Sequence, residues 1–263
     1  MTLSFDLISD LHVDTWNTKF DWTGMPTSSI AVVAGDISRD QTETIEVLEH
    51  LNDCYNAVLY IDGNSEHRWN LIDLKNSYKS LYNEIEKLKN VIYLQDNVAV
   101  INGVAFVGTN AWWTYDFSDL ESYEDTRQWF VNKYHLDSTI ANTIEAVALQ
   151  DVSYLANSIK KLQTHQDIKK IVVVTHTVPF AELIEHDPTL SGTYKINCQG
   201  NRHILKGLNE DIENKISTWC FGHYHGDIDM IYNNIRFVNN CRGECNSPYN
   251  NPVYQPKKIY VEV

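Results

Sequence analysis

Apolar residues fall into short, nearly unbroken runs along the first two thirds of the chain: Leu3–Ser9, Ile30–Ala34, Ala57–Ile61, Ala105–Gly108 and Ile171–Thr175. Runs this short, rich in β-branched side chains, predict strands, and their near-complete apolarity predicts strands covered on both faces. Between the second and third runs, Ile45, Leu48 and Leu51 recur every three residues, with Val47 widening the stripe, which predicts a helix. A longer helical stripe, Ile144, Val147, Ala148, Leu155, Ile159 and Leu162, predicts a helix from about Thr143 to Leu162. Late in the chain the pattern shortens. Thr218–Phe221, Ile228–Ile231 and Ile235–Val238 predict brief strands, the last two joined across Asn233-Asn234 as a two-residue turn. Helices between strands early and a hairpin late predict an α/β sandwich of mixed β-sheets flanked by helices. With 263 residues, no repeat and no Gly/Pro/Ser-rich linker, one domain over residues 1–263 is expected.

The residues just past the end of each strand change the picture from architecture to chemistry. The first run leads into Asp10-Leu11-His12, the second into Gly35-Asp36 and the third into Gly63-Asn64-Ser65-Glu66-His67. The Ile171 run leads into His176, and the Thr218 run into Gly222-His223-Tyr224-His225. Open α/β sheets bind ligands at the carboxyl ends of their strands, so carboxylates, imidazoles and an amide are delivered to one rim. Asp10 and His12 are expected on an extended segment with their side chains on one side, and likewise His223 and His225. Asp36 comes after a glycine that permits a sharp turn, and its two oxygens can bridge two cations. A donor set mixing imidazole nitrogen with carboxylate and amide oxygen suits manganese, iron, zinc or nickel better than calcium. Singly each motif is weak, because a lone His-x-His is more often surface than ligand; five pieces in this order at strand ends form a metal site.

Composition narrows the partners. The formal net charge of −14 disfavours nucleic acid and anionic lipid and leaves small anions plausible at a locally positive metal site. No run approaches the ~18 apolar residues of a membrane span. No basic and then apolar leader is visible from Met1 to Ser9, so a cytoplasmic protein is expected. The five cysteines, Cys54, Cys198, Cys220, Cys241 and Cys245, fit no zinc spacing and are expected to be reduced.

Taken together, Asp-x-His, Gly-Asp, Gly-Asn-x-Glu, a strand ending in His, and Gly-His-x-His resemble the calcineurin-like metallophosphoesterase superfamily, over about residues 5–242. Trp112-Trp113-Thr114-Tyr115-Asp116 and Asn240-Cys241-Arg242-Gly243 resemble a bacterial and phage branch of predicted phosphohydrolases. The resemblance implies that Asp10, His12, Asp36 and His225 hold one metal ion and Asp36, Asn64, His176 and His223 the other, with Asp36 as bridge. It also implies two divalent or trivalent transition-metal ions and hydrolysis of a small phosphomonoester or phosphodiester, such as a nucleotide, by a metal-bridging hydroxide. A nuclease of the same fold and a catalytically weak metal-binding interaction protein are the alternatives.

Two departures bear on mechanism. Relatives carry Gly-Asn-His where this chain has Ser65, and a serine hydroxyl is far too weak an acid to protonate a leaving group near pH 7. Either His67 takes that role, or the enzyme works without an acid, or the protein is a scaffold; a surface histidine starting a helix is the plain reading of His67. Thr177 stands where relatives often carry a second histidine. Arg242 is read as a bidentate phosphate grip or as a structural ion pair. Trp112, Trp113 and Tyr115 are read as core packing before nucleobase stacking. The block 180–200, with Tyr194, Lys195 and Asn197, is a pocket wall or an ordinary loop. His50, His135, His165, His186 and His203 are read as solvent-facing.

Overall fold

The computed structural model describes residues 2–17, 20, 25–190 and 193–263. Its strands are β1 (Thr2–Ile8), β2 (Ile30–Ala34), β3 (Ala57–Ile61), β4 (Val91–Tyr93), β5 (Asn97–Ile101), β6 (Val104–Thr109), β7 (Lys170–Thr175), β8 (Ile216–Phe221), β9 (Asp229–Tyr232), β10 (Ile235–Asn239) and β11 (Lys257–Glu262). Its α-helices are α1 (Gln41–Cys54), α2 (Leu74–Ile85), α3 (Tyr123–Tyr134) and α4 (Ser138–Thr164). One sheet has the order β11-β1-β2-β3-β4 and the other β5-β6-β7-β8-β10-β9. Both are mixed: β1 to β4 run parallel with β11 antiparallel at the edge, while β6, β7, β8 and β10 run parallel between antiparallel β5 and β9.

Strand periodicity explains the layering. Leu3, Phe5 and Leu7 of β1 alternate inward and meet Phe106, Val172, Val174 and Val238 of the other sheet in a shared core. The opposite face of the first sheet, through Ile8, Val33, Val58 and Tyr60, packs on Leu48 and Leu51 of α1 and Leu81 and Ile85 of α2. The opposite face of the second sheet, through Val107, Val173, Trp219 and Phe237, packs on Leu155 and Ile159 of α4. Both faces of each sheet are therefore covered, as the apolar runs require. Asp40 caps α1 by accepting from Thr42 N–H at 2.7 Å and Glu43 N–H at 3.4 Å. Asn233 and Asn234 both take positive φ (49° and 62°), which closes the β9–β10 hairpin as a two-residue turn with the twist such a connection needs.

Candidate metal centre

The carboxyl ends of β1, β2 and β3 in one sheet and of β7 and β8 in the other meet at one edge of the sandwich. The chain leaves these strands abruptly. Asp10, His12, Asp36 and His223 all adopt left-handed backbone conformations, with φ of 50°, 43°, 55° and 64°. Such conformations are uncommon outside glycine and cost free energy that the surroundings must supply. The expectation of extended Asp-x-His and His-x-His segments is therefore corrected: side chains converge because each peptide is pinned across the edge. Asp10 N–H donates to Gly35 C=O at 2.9 Å, His12 N–H to Asp36 C=O at 3.1 Å, and Gly222 N–H to His176 C=O at 2.8 Å. Packing here leaves no room for a Cβ. One added at Gly35, itself at φ +83°, would lie 2.6 Å from both Gly63 N and His176 Nδ1, and one at Gly222 would lie 2.5 Å from Asp10 Oδ2.

The turns bring together the ligand-type residues read from the sequence. Asp10, His12 and His225 form one group and Asp36, His176 and His223 a second, each with one potential ligand atom per residue within 4.8 Å of the others. Asp36 faces both, with Oδ1 3.3 Å from His176 Nε2 and Oδ2 3.6 Å from His12 Nε2. Asn64 joins the second group, its Oδ1 3.1 Å from His176 Nε2.

Electrostatics test whether these residues suit a cation. His176 Nδ1–H donates to Ala34 C=O at 2.9 Å, which fixes the tautomer and turns the Nε2 lone pair toward the oxygens of Asp36 and Asn64. His223 Nε2–H donates to Cys198 C=O at 3.0 Å and leaves its Nδ1 lone pair in the cluster. The Nε2 atoms of His12 and His225 lie 3.0 Å apart, and the buried His12 Nδ1 has no partner among the described residues. Lone pairs facing lone pairs repel unless a proton or a cation sits among them. The protonation states agree. Burial opposes ionisation of Asp10 and Asp36, yet the neighbouring imidazoles, His225 foremost at Asp10 and His176 at Asp36, hold both carboxyls below the usual range. Burial and the His176 charge push His223 down to about 4, and burial lowers His12, whereas at His225 the Asp10 carboxylate outweighs burial and raises the pKa. Ionised carboxylates and neutral imidazoles are the forms that bind metals. The residues present thus fit a pair of cations of the nitrogen- and oxygen-preferring kind.

Outer contacts hold the ligands. Ser65 N–H donates to Asp36 Oδ1 at 2.8 Å, and His223 N–H to Asp10 Oδ1 at 2.9 Å. Glu66, fully buried, accepts from Ile37 N–H at 2.6 Å, Gly63 N–H at 2.8 Å and Asp36 N–H at 3.2 Å, tying the β2 and β3 turns together. The Cys241 thiol lies 3.0 Å from Asp10 Oδ2; burial and that carboxylate push its pKa well up, so it stays a neutral donor. All five cysteines are unpaired.

His67 lies where neither sequence reading puts it. It is fully buried rather than on the surface, with Nε2 2.8 Å from Asp62 Oδ2 and Nδ1 2.8 Å from Ser77 Oγ. Both ring nitrogens are taken, so the expectation that it swings toward a leaving group is corrected: the move would strand the buried Asp62 carboxylate. Arg242 is likewise neither ion-paired among the described residues nor set in an open groove. It is 4 % exposed, its guanidinium carbon lies 3.9 Å from the centre of the Trp16 ring and 4.6 Å from that of Phe20, and its Nε and Nη1 have no hydrogen-bond partner among the described residues. Burial lowers its pKa to about 10. Thr177 is buried and donates to Ala111 C=O. Trp112, Trp113 and Tyr115 are buried in a cluster with Phe130, Ile144 and Ala148, as the packing reading expects. His50, His135, His165 and His186 are exposed and His203 is half-buried.

Sequence reasoning missed a cavity of about 190 Å³ that opens from Asn64 and His223. Trp112, Trp113, Trp129, Phe130 and Tyr134 line it, together with Arg68, Lys133 and Lys195. Within the block 180–200, Lys195 reaches this wall, whereas Asn197 is buried and holds Ser118 N–H and Glu121 C=O; Ser191 and Gly192 lie outside the described residues. Arg68, Lys133 and Trp129 belong to no motif, and only their helical context places them.

No family model matches the chain. A protein of Acanthamoeba polyphaga mimivirus, described as uncharacterized protein L509, is 24% identical over 264 residues, covering 90% of this chain and 89% of the viral one. Among solved structures, a phosphopantetheinyl hydrolase from Mycobacterium tuberculosis superposes over 97% of this chain and 98% of its own, with a TM-score of 0.68 and 19% identity. A 5'-nucleotidase-like protein from Staphylococcus aureus matches 92% of this chain and 49% of its own at a TM-score of 0.47. The fold is therefore the metallophosphoesterase-type sandwich of two mixed sheets flanked by helices. Among the described residues, no helix is long and apolar enough to cross a membrane.

Proposed function

We propose that this chain is a binuclear metal-dependent phosphoesterase of the calcineurin-like superfamily, acting on a small phosphomonoester or phosphodiester. The observation that carries the reading is the pair of adjacent Asp/His/His groups sharing Asp36, built on strained turns with their lone pairs aimed inward. Asp10, His12, Asp36 and His225 would hold one ion and Asp36, Asn64, His176 and His223 the other. Two cations seated there would supply Lewis acidity toward a phosphoryl oxygen and a water acidic enough to attack at neutral pH.

The protein's own groups set the rest. Asp36 presents one oxygen to each group, and the outward hydrogen bonds of His176 and His223 keep their rings from turning. Neither Ser65, which is buried, nor His67, which Asp62 and Ser77 hold, is placed to protonate the leaving group. Solvent would deliver that proton. The test is reconstitution of chelated protein with manganese, nickel or zinc, then metal analysis and turnover of p-nitrophenyl phosphate and bis(p-nitrophenyl) phosphate. Two ions per chain with metal-dependent release of nitrophenol is the expected result. Two bound ions with neither compound hydrolysed would overturn it.

A further inference from the structure

The cavity beside the metal centre carries a charge opposite to that of the whole. Arg68, Lys133 and Lys195 all line it in a protein of net charge −14. Lys133 Nζ lies 4.6 Å from the centre of the Trp129 ring and 5.4 Å from that of Tyr134, and the Arg68 guanidinium approaches the same Tyr134 ring at 5.7 Å. None of the three pairs with a carboxylate among the described residues, although Arg39, Lys87, Lys160, Arg202, Arg236 and Lys257 do. Their mutual repulsion is felt: burial, then Lys195 and Arg68, lowers the Lys133 pKa. Like charges gathered without a counter-charge on an acidic protein raise the energy of the empty pocket, and an anion relieves it.

Between this cluster and the ligands Asn64 and His223 the walls are rings. Trp113 stacks on the His223 imidazole with centroids 5.6 Å apart and planes 17° from parallel, and it meets Phe130 edge-on at 5.6 Å. Trp129, half-buried, continues the surface toward Lys133. Flat apolar walls accept a planar body. A volume of about 190 Å³ is smaller than the ~300–1,000 Å³ of sites that enclose a whole drug-sized ligand, so the cavity takes one part of a substrate whose other end lies outside it.

We propose that this cavity holds the leaving group of the substrate, and that this leaving group carries a planar ring and a second phosphate. The ring would lie along Trp113, Trp129 and Phe130, and the phosphate would meet Arg68, Lys133 and Lys195. The chemical class is a nucleoside bisphosphate, with one phosphoester at the metal centre and its second phosphate at the cationic wall. The proposal rests on the phosphoesterase reading for the first phosphate only; the second is recognised without metal.

The test separates the two. Chelated protein is titrated with adenosine 3',5'-bisphosphate, with adenosine as the neutral comparison, by tryptophan fluorescence at low and high salt. Saturable quenching by the bisphosphate, at least ~10-fold tighter than by adenosine and weakened by salt, is expected. Lys133→Ala and Arg68→Ala should each weaken it at least ~5-fold, with Lys133→Arg restoring most of the loss. In metal-loaded enzyme the ratio of kcat/KM for the bisphosphate to that for phenyl phosphate should fall at least ~10-fold in the Arg68→Ala/Lys133→Ala double variant. Equal binding of adenosine and the bisphosphate, or an unchanged ratio in the double variant, would overturn the proposal while leaving phosphoesterase activity intact. Absence of any hydrolysis with quenching preserved would instead sink the phosphoesterase reading.

Discussion

Two clusters of buried histidine and carboxylate sit beside each other in this molecule, and they are built on opposite principles. Around His67, each ring nitrogen has a protein partner at 2.8 Å, and Asp62 gains further donors from Asn110 Nδ2 at 2.9 Å and from Tyr93. Around Asp36, Nε2 atoms face one another or face oxygens, His12 Nδ1 is orphaned, and four residues hold left-handed backbone. The first cluster is complete as folded; the second leaves lone pairs without a protein donor. Burial and residue type do not distinguish a structural histidine from a ligand. The direction of its unshared electron pair does.

Asp36→Ala removes the residue shared by both groups, and it should abolish metal retention and reduce turnover by more than the ~10–100-fold typical of losing an outer partner, read by elemental analysis and kinetics together. An active variant without metal would show that the cluster is not the reaction centre. His67→Ala acts on the self-contained cluster and leaves the buried Asp62 carboxylate without its imidazole partner. It should cost ~3–5 kcal/mol of stability in a denaturant titration while metal content per folded chain stays as in wild type. Loss of metal with no loss of stability would reverse the assignment of the two clusters. Chelation is the gentler experiment: with metal at 100 times its dissociation constant, removal should lower stability by ~2.7 kcal/mol in wild type, and by nothing measurable in Asp36→Ala. The smallest effect is expected at Glu66. Glu66→Gln keeps the size but weakens acceptance from three backbone N–H groups, costing ~1–3 kcal/mol and loosening metal affinity without abolishing it.

The same contrast governs how much of the molecule is legible in its sequence. The buried strands are legible because both sheet faces are covered, so Ile30–Ala34 and Ala57–Ile61 read as unbroken apolar runs and their boundaries coincide with β2 and β3. Strand β4 is three residues long with Ile92 exposed, and β5 alternates weakly, so neither rises above its surroundings. Helix α3 escapes notice because it buries only Thr126 and Phe130 and so shows no stripe. Ligand-type residues are legible because each comes one to four positions after its strand, a spacing the fold imposes. The reason for their convergence is not, because extended and left-handed segments are indistinguishable as letters. His67 is misplaced for a related cause: Asp62 and Ser77, which hold it, flank it without any motif. The cationic wall is invisible because Arg68, Lys133 and Lys195 come from three separate segments and meet only in space.

One consequence of the two-sheet origin of the site concerns time rather than space. Roughly 200 residues of chain separate Asp10 from His225. At a synthesis rate of ~5–20 residues per second, the first ligand leaves the ribosome at least about ten seconds before the last. During that interval the nascent chain displays Asp10, His12, Asp36 and Asn64 on a partly assembled sheet, without the imidazoles of β7 and β8. An ion pair held by all seven of these residues could therefore be captured only after His225 has emerged, and a chain loaded in that way would be one whose second sheet has already closed against its first.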